Sequence, residues 1–155
     1  MAKSLIGTSG WNYKHWHRGK FYPTELNPPQ WLPFFSQQFE TVEINSSFYR
    51  LPSEAAFQHW RSQVPPRFMF AVKASRFLTH IKRLKDPKVP LGLFFSRATH
   101  LKDRLGPFCF SCRRNSIWIW IALTRSSSSE TLHDEVRPSI RFRSSEFNLA
   151  DPVRL

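Results

Sequence analysis

The sequence predicts an α/β fold, because segments with the composition of strands alternate with segments that have helical spacing of apolar residues. Three such strand–helix pairs occupy the first two thirds of the chain. The third strand, at residues 68–73, is almost continuously apolar, which is typical of a strand covered on both faces. Repeats of strand and helix in this order favour parallel βα units.

The first predicted unit comprises a strand over Leu5–Ser9, an aromatic loop and a helix over residues 30–39. Pro28 and Pro29 open the helix, since the first turn tolerates proline, whose missing N–H has no intrahelical partner there. Pro33 lies further inside the segment and favours a later start of the helix.

The second unit begins with a strand over Thr41–Asn45, in which Val42 and Ile44 alternate with polar residues. This period of two is typical of a strand with one apolar face. Ser53 is the expected N-cap of the following helix, because serine commonly caps the first turn. Two prolines at residues 65–66 end that helix.

The third unit runs from the apolar strand through a basic loop at residues 75–90 to a helix predicted over residues 91–105. Gly106 and Pro107 then mark the start of a fourth strand. The first 107 residues are therefore predicted to contain three βα units and the beginning of a fourth.

The chain is strongly basic, with a formal net charge of +12 over 155 residues. Residues 1–107 carry most of this excess, with 16 Lys and Arg against 6 Asp and Glu. We expect an anionic small molecule as partner, or a nucleic acid as the alternative, and the sequence indicates no protein partner. A domain separated from a more acidic remainder would show the same charge.

The cellular location is predicted from what the sequence lacks. No apolar run approaches the roughly 20 residues needed to cross a bilayer, and the first residues do not resemble a signal peptide. Residues 1–108 contain no cysteine. We therefore predict a cytoplasmic protein without a membrane partner. The sequence leaves any cofactor unknown.

The strand ends carry the first candidate catalytic residues. Glu43 and Asn45 share the polar face of the second strand near its carboxyl end, and Lys73 ends the third strand. A carboxylate is costly to bury, and α/β proteins build their sites at strand ends. We predict that Glu43 and Lys73 act as catalytic acid or base and that Asn45 binds ligand. The alternative is a salt bridge that only fixes strand register.

His80 is the third predicted catalytic residue. It follows Thr79 in the basic loop, and an imidazole titrates near neutral pH, which suits acid–base chemistry. A structural or merely exposed loop histidine is the alternative.

The turn after the first strand supplies candidate ligand-binding residues. Thr8, Ser9 and Gly10 offer hydroxyl and N–H groups to an anion, or they form an ordinary βα turn. Nearby aromatic side chains would stack on a sugar or a base, or close over the site as a lid. These aromatic residues are Trp11, Tyr13, Trp16 and Tyr49.

No metal site is predicted. His15 and His17 lie two residues apart and would need a further ligand. Cys109 and Cys112 have the spacing of a redox dithiol or of half a zinc site, but no second cysteine pair completes it.

Several spaced motifs follow one another in the order Ile6-Gly7-Thr8-Ser9-Gly10-Trp11, Phe21-Tyr22-Pro23, Glu43-Ile44-Asn45-Ser46-Ser47-Phe48-Tyr49, Phe70-Ala71-Val72-Lys73 and Thr79-His80. This set resembles the YecE-like family, also called domain of unknown function 72, over residues 5–107. The resemblance implies a TIM-type (β/α)8 barrel of about 250 residues. This chain would hold a partial barrel of about three βα units and the start of a fourth strand. The family name states no activity, so the resemblance implies a fold and a site location but no reaction.

The composition changes abruptly after Pro107. All five glycines and ten of the twelve prolines lie at or before this residue, and a serine run with scattered arginines follows. The family pattern would continue with a strand that reads Leu-Phe-Gln-Leu-Pro-Pro. We therefore divide the chain into residues 1–107, the N-terminal part of a YecE-like domain, and residues 108–155, a tail expected to be non-native or disordered.

A frameshift near Pro107 would explain this change. Codons permitted for Phe108 to Ile121, read after the first two bases are dropped, encode Leu-Phe-Gln-Leu-Pro-Pro-Lys-Phe-His-Leu-Asp-Leu-Asp. Most bases of that alternative frame are already fixed by the residues present, so chance is a poor explanation of the match. The later part of the tail yields no convincing extension.

Together these observations predict that the full-length ancestor is an enzyme acting on an anionic or phosphorylated small molecule. A nucleic-acid-binding module that uses the aromatic loop and the basic stretch at residues 82–88 is the alternative. This chain itself is expected to be a truncated and nonfunctional member of the family.

Overall fold

The computed structural model describes residues 4–82 and 85–111, together with the backbone of residues 118–121 and 140–143. Two 3₁₀ helices, Lys14–Trp16 and Thr99–Arg104, and a π-helical turn at Phe77–Ile81 connect the main elements. In chain order the helices and strands are β1 (Leu5–Ser9), α1 (Pro28–Gln38), β2 (Thr41–Ile44), α2 (Ser46–Tyr49), α3 (Glu54–Ser62), β3 (Met69–Lys73), α4 (Lys88–Ala98), β4 (Leu105–Ser111), β5 (Trp118–Ile121) and β6 (Ile140–Arg143).

The strands form one six-stranded sheet in the order β5-β4-β3-β2-β1-β6. Strands β1 to β4 are mutually parallel, which confirms the α/β class, and β6 pairs in parallel with β1. Strand β5 is antiparallel to β4, whereas a (β/α)8 barrel would place a parallel strand there. The partial barrel therefore stays a prediction.

The register gives the central strands two different faces. Val42 lies opposite Phe70, and Val72 lies opposite Phe108, so these apolar side chains share one face. On the other face Ser9 lies opposite Glu43, and Lys73 lies opposite Cys109. We call the first the helix face and the second the polar face.

The helix face carries the core. Phe108 lies with its ring centroid 5.3 Å from that of Phe94 and 4.9 Å from that of Phe95, both on α4. Phe68, which immediately precedes β3, packs edge-on against Phe35 of α1. The aromatic side chains of the helices thus cover this face of the sheet. Ala71, on the other face of β3, is fully buried as well, which agrees with the almost continuously apolar third strand.

Helix α1 begins at Pro28 and contains Pro33, so the later start that Pro33 favoured is wrong. Proline at that position removes the N–H that would bond the carbonyl of Pro29 one turn earlier. The side chain of Gln63 compensates, since its Nε2 donates to the Pro29 oxygen at 3.1 Å. A tertiary contact therefore lets the helix run through the proline.

The later helices differ from expectation mainly at their ends. Ser53 caps α3 as predicted, because its Oγ accepts from the Ala56 N–H at 3.2 Å. The helix predicted over residues 91–105 begins earlier, at Lys88, and α4 ends at Ala98. A 3₁₀ segment follows, in which Lys102 has a positive φ of 49° and re-aims the chain into β4.

Strand β4 runs through Pro107 without a break. Phe70 lies opposite Leu105 and Val72 opposite Phe108, so β4 has one extra residue at this point. A proline fits such a bulge because no ladder hydrogen bond is lost there. Residues 108–111 complete this strand, so the disorder expected from residue 108 does not begin there, and the out-of-frame origin of the tail stays a prediction. The remaining tail lies outside the described residues, apart from the backbones of β5 and β6.

Candidate functional site

The candidate site lies at the carboxyl ends of the parallel strands. Ser9 ends β1, Glu43 is the last polar-face residue of β2, and Lys73 ends β3. Because parallel strands end at the same edge of a sheet, these three side chains come from one rim of the molecule. The sequence-based prediction of a strand-end cluster is consistent with this placement.

Glu43 is the acidic side chain of the cluster, and it is buried, with 3% of its surface exposed. The hydroxyl of Ser9 donates a hydrogen bond to its Oε2 atom. The backbone N–H of Gly10 donates to the Glu43 carbonyl oxygen at 2.9 Å, which ties the turn after β1 to the same strand. In the structure the Ser9 hydroxyl orients the carboxylate, and the predicted binding of ligand by Ser9 stays a prediction.

Lys73 is positioned by the turn that follows β2. The Ser47 Oγ lies 2.6 Å from the carbonyl oxygens of both Ile44 and Lys73, so its single proton is shared between the ends of two strands. This bond seats the short helix α2 on β3. As a result the Lys73 Nζ lies 5.3 Å from the ring centroid of Phe48, over the ring face.

His80 approaches the same aromatic ring from the loop after β3. Its ring centroid lies 5.3 Å from that of Phe48, and the two rings are nearly perpendicular. The Thr79 Oγ1 lies 2.8 Å from His80 Nδ1, so a hydrogen bond fixes one ring nitrogen. Both residues belong to a π-helical turn, a distortion that is frequent at functional sites.

Cys109 brings a thiol to the polar face. It is fully buried on β4. Burial raises the pKa of the Cys109 thiol well above its ordinary value, and the nearby Glu43 carboxylate raises it further, while Lys73 opposes this. The thiol therefore stays protonated at neutral pH, which does not suit a nucleophile or a metal ligand. Cys112, its predicted partner in the Cys-x-x-Cys spacing, lies outside the described residues.

Asn45 lies two residues after Glu43, between the end of β2 and the start of α2. Its Oδ1 atom is buried and has no hydrogen-bond partner among the described residues. An unpaired buried acceptor is costly, and a ligand hydroxyl or N–H would satisfy it. Asn45 therefore remains a candidate ligand-binding residue at the edge of the site.

The turn after β1 uses some of its own polar groups. The Thr8 Oγ1 donates to the Gly10 carbonyl oxygen at 2.7 Å, and the Tyr13 hydroxyl donates to the Ser9 carbonyl oxygen. Gly10 has a φ of 89°, a conformation that side chains rarely adopt. Thr8 and Tyr13 thus hold the turn in place, while ligand binding by this turn stays a prediction.

The predicted aromatic wall divides into packed and exposed members. Trp16 stacks on Phe35 of α1 with a ring separation of 6.3 Å, and Trp11 packs edge-on against Trp60 of α3 at 5.4 Å. Tyr49 is 66% exposed at the end of α2. Of these three, only Tyr49 has a ring largely open to a ligand.

The sequence analysis missed Ser47 and Phe48 as parts of the site. Helix α2 has four residues, too few for helical spacing to show. The signal available was the polar Asn-Ser-Ser run directly after a strand, followed by an aromatic residue. Within the ranges that the structure describes, no group of three His, Cys, Asp or Glu side chains is placed to hold a metal ion.

A search of the described residues for a helix long and apolar enough to cross a membrane finds none.

Comparison with solved structures supports the fold. A crystal structure of a DUF72 family protein from Thermotoga maritima MSB8 is 34% identical, with a TM-score of 0.57 over 67% of this chain and 42% of that chain. A crystal structure of a DUF72 family protein from Enterococcus faecalis V583 is 18% identical, with a TM-score of 0.50 over 67% of this chain and 38% of that chain. The second likeness bears on the fold alone.

Sequence comparison gives the same relationship. The UPF0759 protein YunF of Bacillus subtilis (strain 168) is 29% identical over 82 residues, which is 53% of this chain and 28% of that protein. The chain thus spans less than half the length of these relatives. Residues 5–144 match the family described as Protein of unknown function DUF72, a range that runs past Pro107. The chain therefore belongs to the DUF72 family.

Proposed function

We propose that the strand-end cluster binds an anionic or phosphorylated small molecule and that the complete fold acts on it as an enzyme of the cytoplasm. Glu43 would transfer protons, and Lys73 and His80 would bind the anionic group or assist the transfer. The observation that carries this proposal is the burial of the Glu43 carboxylate at the rim of a parallel sheet, with the Ser9 hydroxyl directed at it.

The alternative is a salt bridge that only fixes strand register, and the structure gives such a bridge little to do. The register of β2 against β3 is already specified by apolar pairs, since Val42 lies opposite Phe70 and Ile44 opposite Val72. A slip of β2 by one residue would move Val42 and Ile44 to the polar face. A buried charge adds little to this specification and is expensive to desolvate. A chemical role explains the presence of the Glu43 carboxylate better than a structural one does.

Among the described residues, no contact supports the nucleic-acid alternative. It needs aromatic rings that are free to stack on bases, whereas Trp11 and Trp16 pack on helices. Part of the basic stretch at residues 82–88 lies outside the described residues. We therefore do not propose it.

Binding of inorganic phosphate tests the proposal on the full 155-residue chain. We expect saturable binding in an NMR titration, and Lys73→Met should weaken it roughly ten- to hundredfold, the value of a charge-assisted hydrogen bond. The matched control is Lys102→Met. Lys102 is exposed and precedes β4, at the opposite end of the strands. Equal losses in both variants would indicate non-specific attraction by the basic surface and would refute the proposed site.

Turnover is assigned to the longer protein. We propose that a frameshift near Pro107 separates this chain from that protein, supported by the family-like reading of the alternative frame, and that this chain is a truncated member that is nonfunctional as an enzyme. Ser9, Glu43, Lys73 and His80 all precede Pro107, so they are the same in either frame. Resequencing the gene past the codon for Ile121 tests this. A reading frame that stands as given, with no family-like continuation in the alternative frame, would refute the frameshift.

A further inference from the structure

We propose that Phe48 is a positioning residue of this site, which holds Lys73 against its ring face and fixes the ring of His80. The inference deepens the proposed function and rests on it, because it concerns the two groups assigned to the anion. The geometry that carries it is the meeting of both side chains on one aromatic ring, each 5.3 Å from the ring centroid.

The ring of Phe48 is itself held in place. Ser47, its neighbour, bonds the carbonyl oxygens at the ends of β2 and β3. The Arg50 N–H donates to the Ser46 carbonyl oxygen at 3.1 Å and closes the single turn of α2. Phe48 also contacts Tyr49 edge-on, with 5.2 Å between the centroids. The segment that carries the ring is therefore hydrogen-bonded to two strands, and a positioning group needs such a rigid attachment.

The attraction between Phe48 and Lys73 is electrostatic. The face of an aromatic ring carries a negative quadrupole, which attracts an ammonium group within about 6 Å of the centroid. A lysine side chain has four rotatable carbon–carbon bonds and loses considerable rotamer entropy when a ligand immobilises it. A ring that already restricts Lys73 removes part of that cost before the anion arrives.

The contact with His80 works through packing and not through charge. The perpendicular arrangement of the two rings fixes the plane of the imidazole, and the Thr79 hydroxyl fixes Nδ1. The Nε2 atom is the ring nitrogen that this contact leaves for a ligand. Phe48 thus sets the separation between an ammonium and an imidazole, the distance that an anionic group must match.

Stepwise fluorination of Phe48 tests the electrostatic part of the proposal. Incorporation of mono-, di- and trifluorophenylalanine at position 48 keeps the shape of the ring nearly constant while it reduces the quadrupole. We expect the affinity for inorganic phosphate to fall with each step, by about two- to fivefold over the series. The same series at Phe77, a partly exposed ring on the His80 turn, is the control and should leave binding unchanged.

A readout without ligand separates this inference from the proposed function. The Lys73 ε-methylene resonance, assigned by its loss in Lys73→Met, should lie upfield in the unmodified chain and move toward its random-coil position along the fluorine series. If phosphate does not bind at all, the proposed function fails, and this resonance still decides whether the ring holds the ammonium. A resonance that is not ring-shifted, or that fluorination leaves in place, overturns the role of Phe48.

Two genetic variants complete the test. Phe48→Trp keeps a ring face and should retain both the Lys73 shift and phosphate binding, whereas Phe48→Leu keeps bulk without a quadrupole and should lose both. Far-ultraviolet circular dichroism and the unfolding midpoint establish that each variant is folded. If Phe48→Leu binds phosphate as well as the unmodified chain does, Phe48 only fills space and the proposal is wrong.

Discussion

The two faces of the same four strands carry chemically different side chains. The helix face is built from large apolar side chains such as Val42, Phe70 and Phe108, all fully buried. The polar face carries Ser9 and Glu43 within two strands, and both are buried as well. Burial alone therefore does not distinguish them. One face is therefore buried to stabilise the fold, while the other is buried at a cost that the proposed site would explain.

The two faces also differ in what lies next to their residues. On the polar face Gly7 lies against the backbone of Thr41, where a Cβ atom would come within 2.1 Å of the carbonyl oxygen. On the helix face the strands are separated from the helices by aromatic rings. Substitutions on the two faces should accordingly fail for different reasons.

The largest effect is expected on the helix face. Phe70→Ala should lower the free energy of unfolding by about 3–5 kcal/mol, because it removes a fully buried ring and leaves a cavity. Phe77→Ala, at a ring that is 43% exposed, is the control and should cost much less. Urea denaturation followed by circular dichroism measures both. Similar losses in the two variants would show that the helix face is not the stabilising core.

Steric crowding on the polar face should produce the next largest loss. Gly7→Ala is expected to destabilise by about 1–3 kcal/mol or more, since the added methyl group meets the Thr41 backbone and the strands must separate. Gly92→Ala is the matched control. Its Cβ would meet nothing within 4 Å, and alanine should stabilise α4 by about 0.5–1 kcal/mol. Urea denaturation measures both variants. The change in the free energy of unfolding must have opposite signs in Gly7→Ala and Gly92→Ala for this prediction to hold.

The sequence sufficed to predict features that depend on local pattern. The alternation of Val42 and Ile44 with Glu43 identified β2 and its two faces, and the bounds of β1 were predicted without error. Ser53 was identified as a cap because capping is a contact within one turn. The polar rim followed from the same reasoning, since the end of a strand fixes where its last side chain lies.

Features that depend on distant contacts were not predictable. Helix α1 runs through Pro33 because Gln63, thirty residues later, bonds the carbonyl that the proline leaves open. Pro107 was predicted to open the fourth strand, but the bulge that accommodates it depends on the pairing of β4 with β3. The role of Phe48 emerges only when β2, β3 and the loop after β3 are brought together. In each case the decisive partner is far away in sequence.

The protonated thiol on the polar face makes stability depend on alkaline pH. Because the pKa of Cys109 is raised in the folded chain above its ordinary value of 9.0, the unfolded chain loses this proton first. The stabilisation is complete below pH 9 and is lost as the pH rises above it, by at most about 1.4 kcal/mol per pH unit. We expect unfolding experiments in a Cys112→Ser background to show this slope, and Cys109→Ala to reduce it. If Cys109→Ala leaves the pH dependence of the free energy of unfolding unchanged, the thiol is exposed to water and the prediction is wrong.

The smallest effect on stability is expected at Glu43, and its size shows whether the polar face is a site or a stabilising core. Glu43→Gln keeps the shape of the side chain and still accepts a hydrogen bond from Ser9, so the free energy of unfolding should change by less than about 1 kcal/mol at pH 7. Breaking a structural ion pair by removing one buried partner costs about 3–5 kcal/mol. Urea denaturation of Glu43→Gln beside Glu25→Gln, an exposed control, distinguishes these values. A small change together with tighter phosphate binding, from removal of a negative charge near Lys73, would assign Glu43 to the site. A loss of several kcal/mol would make the polar face a second stabilising core.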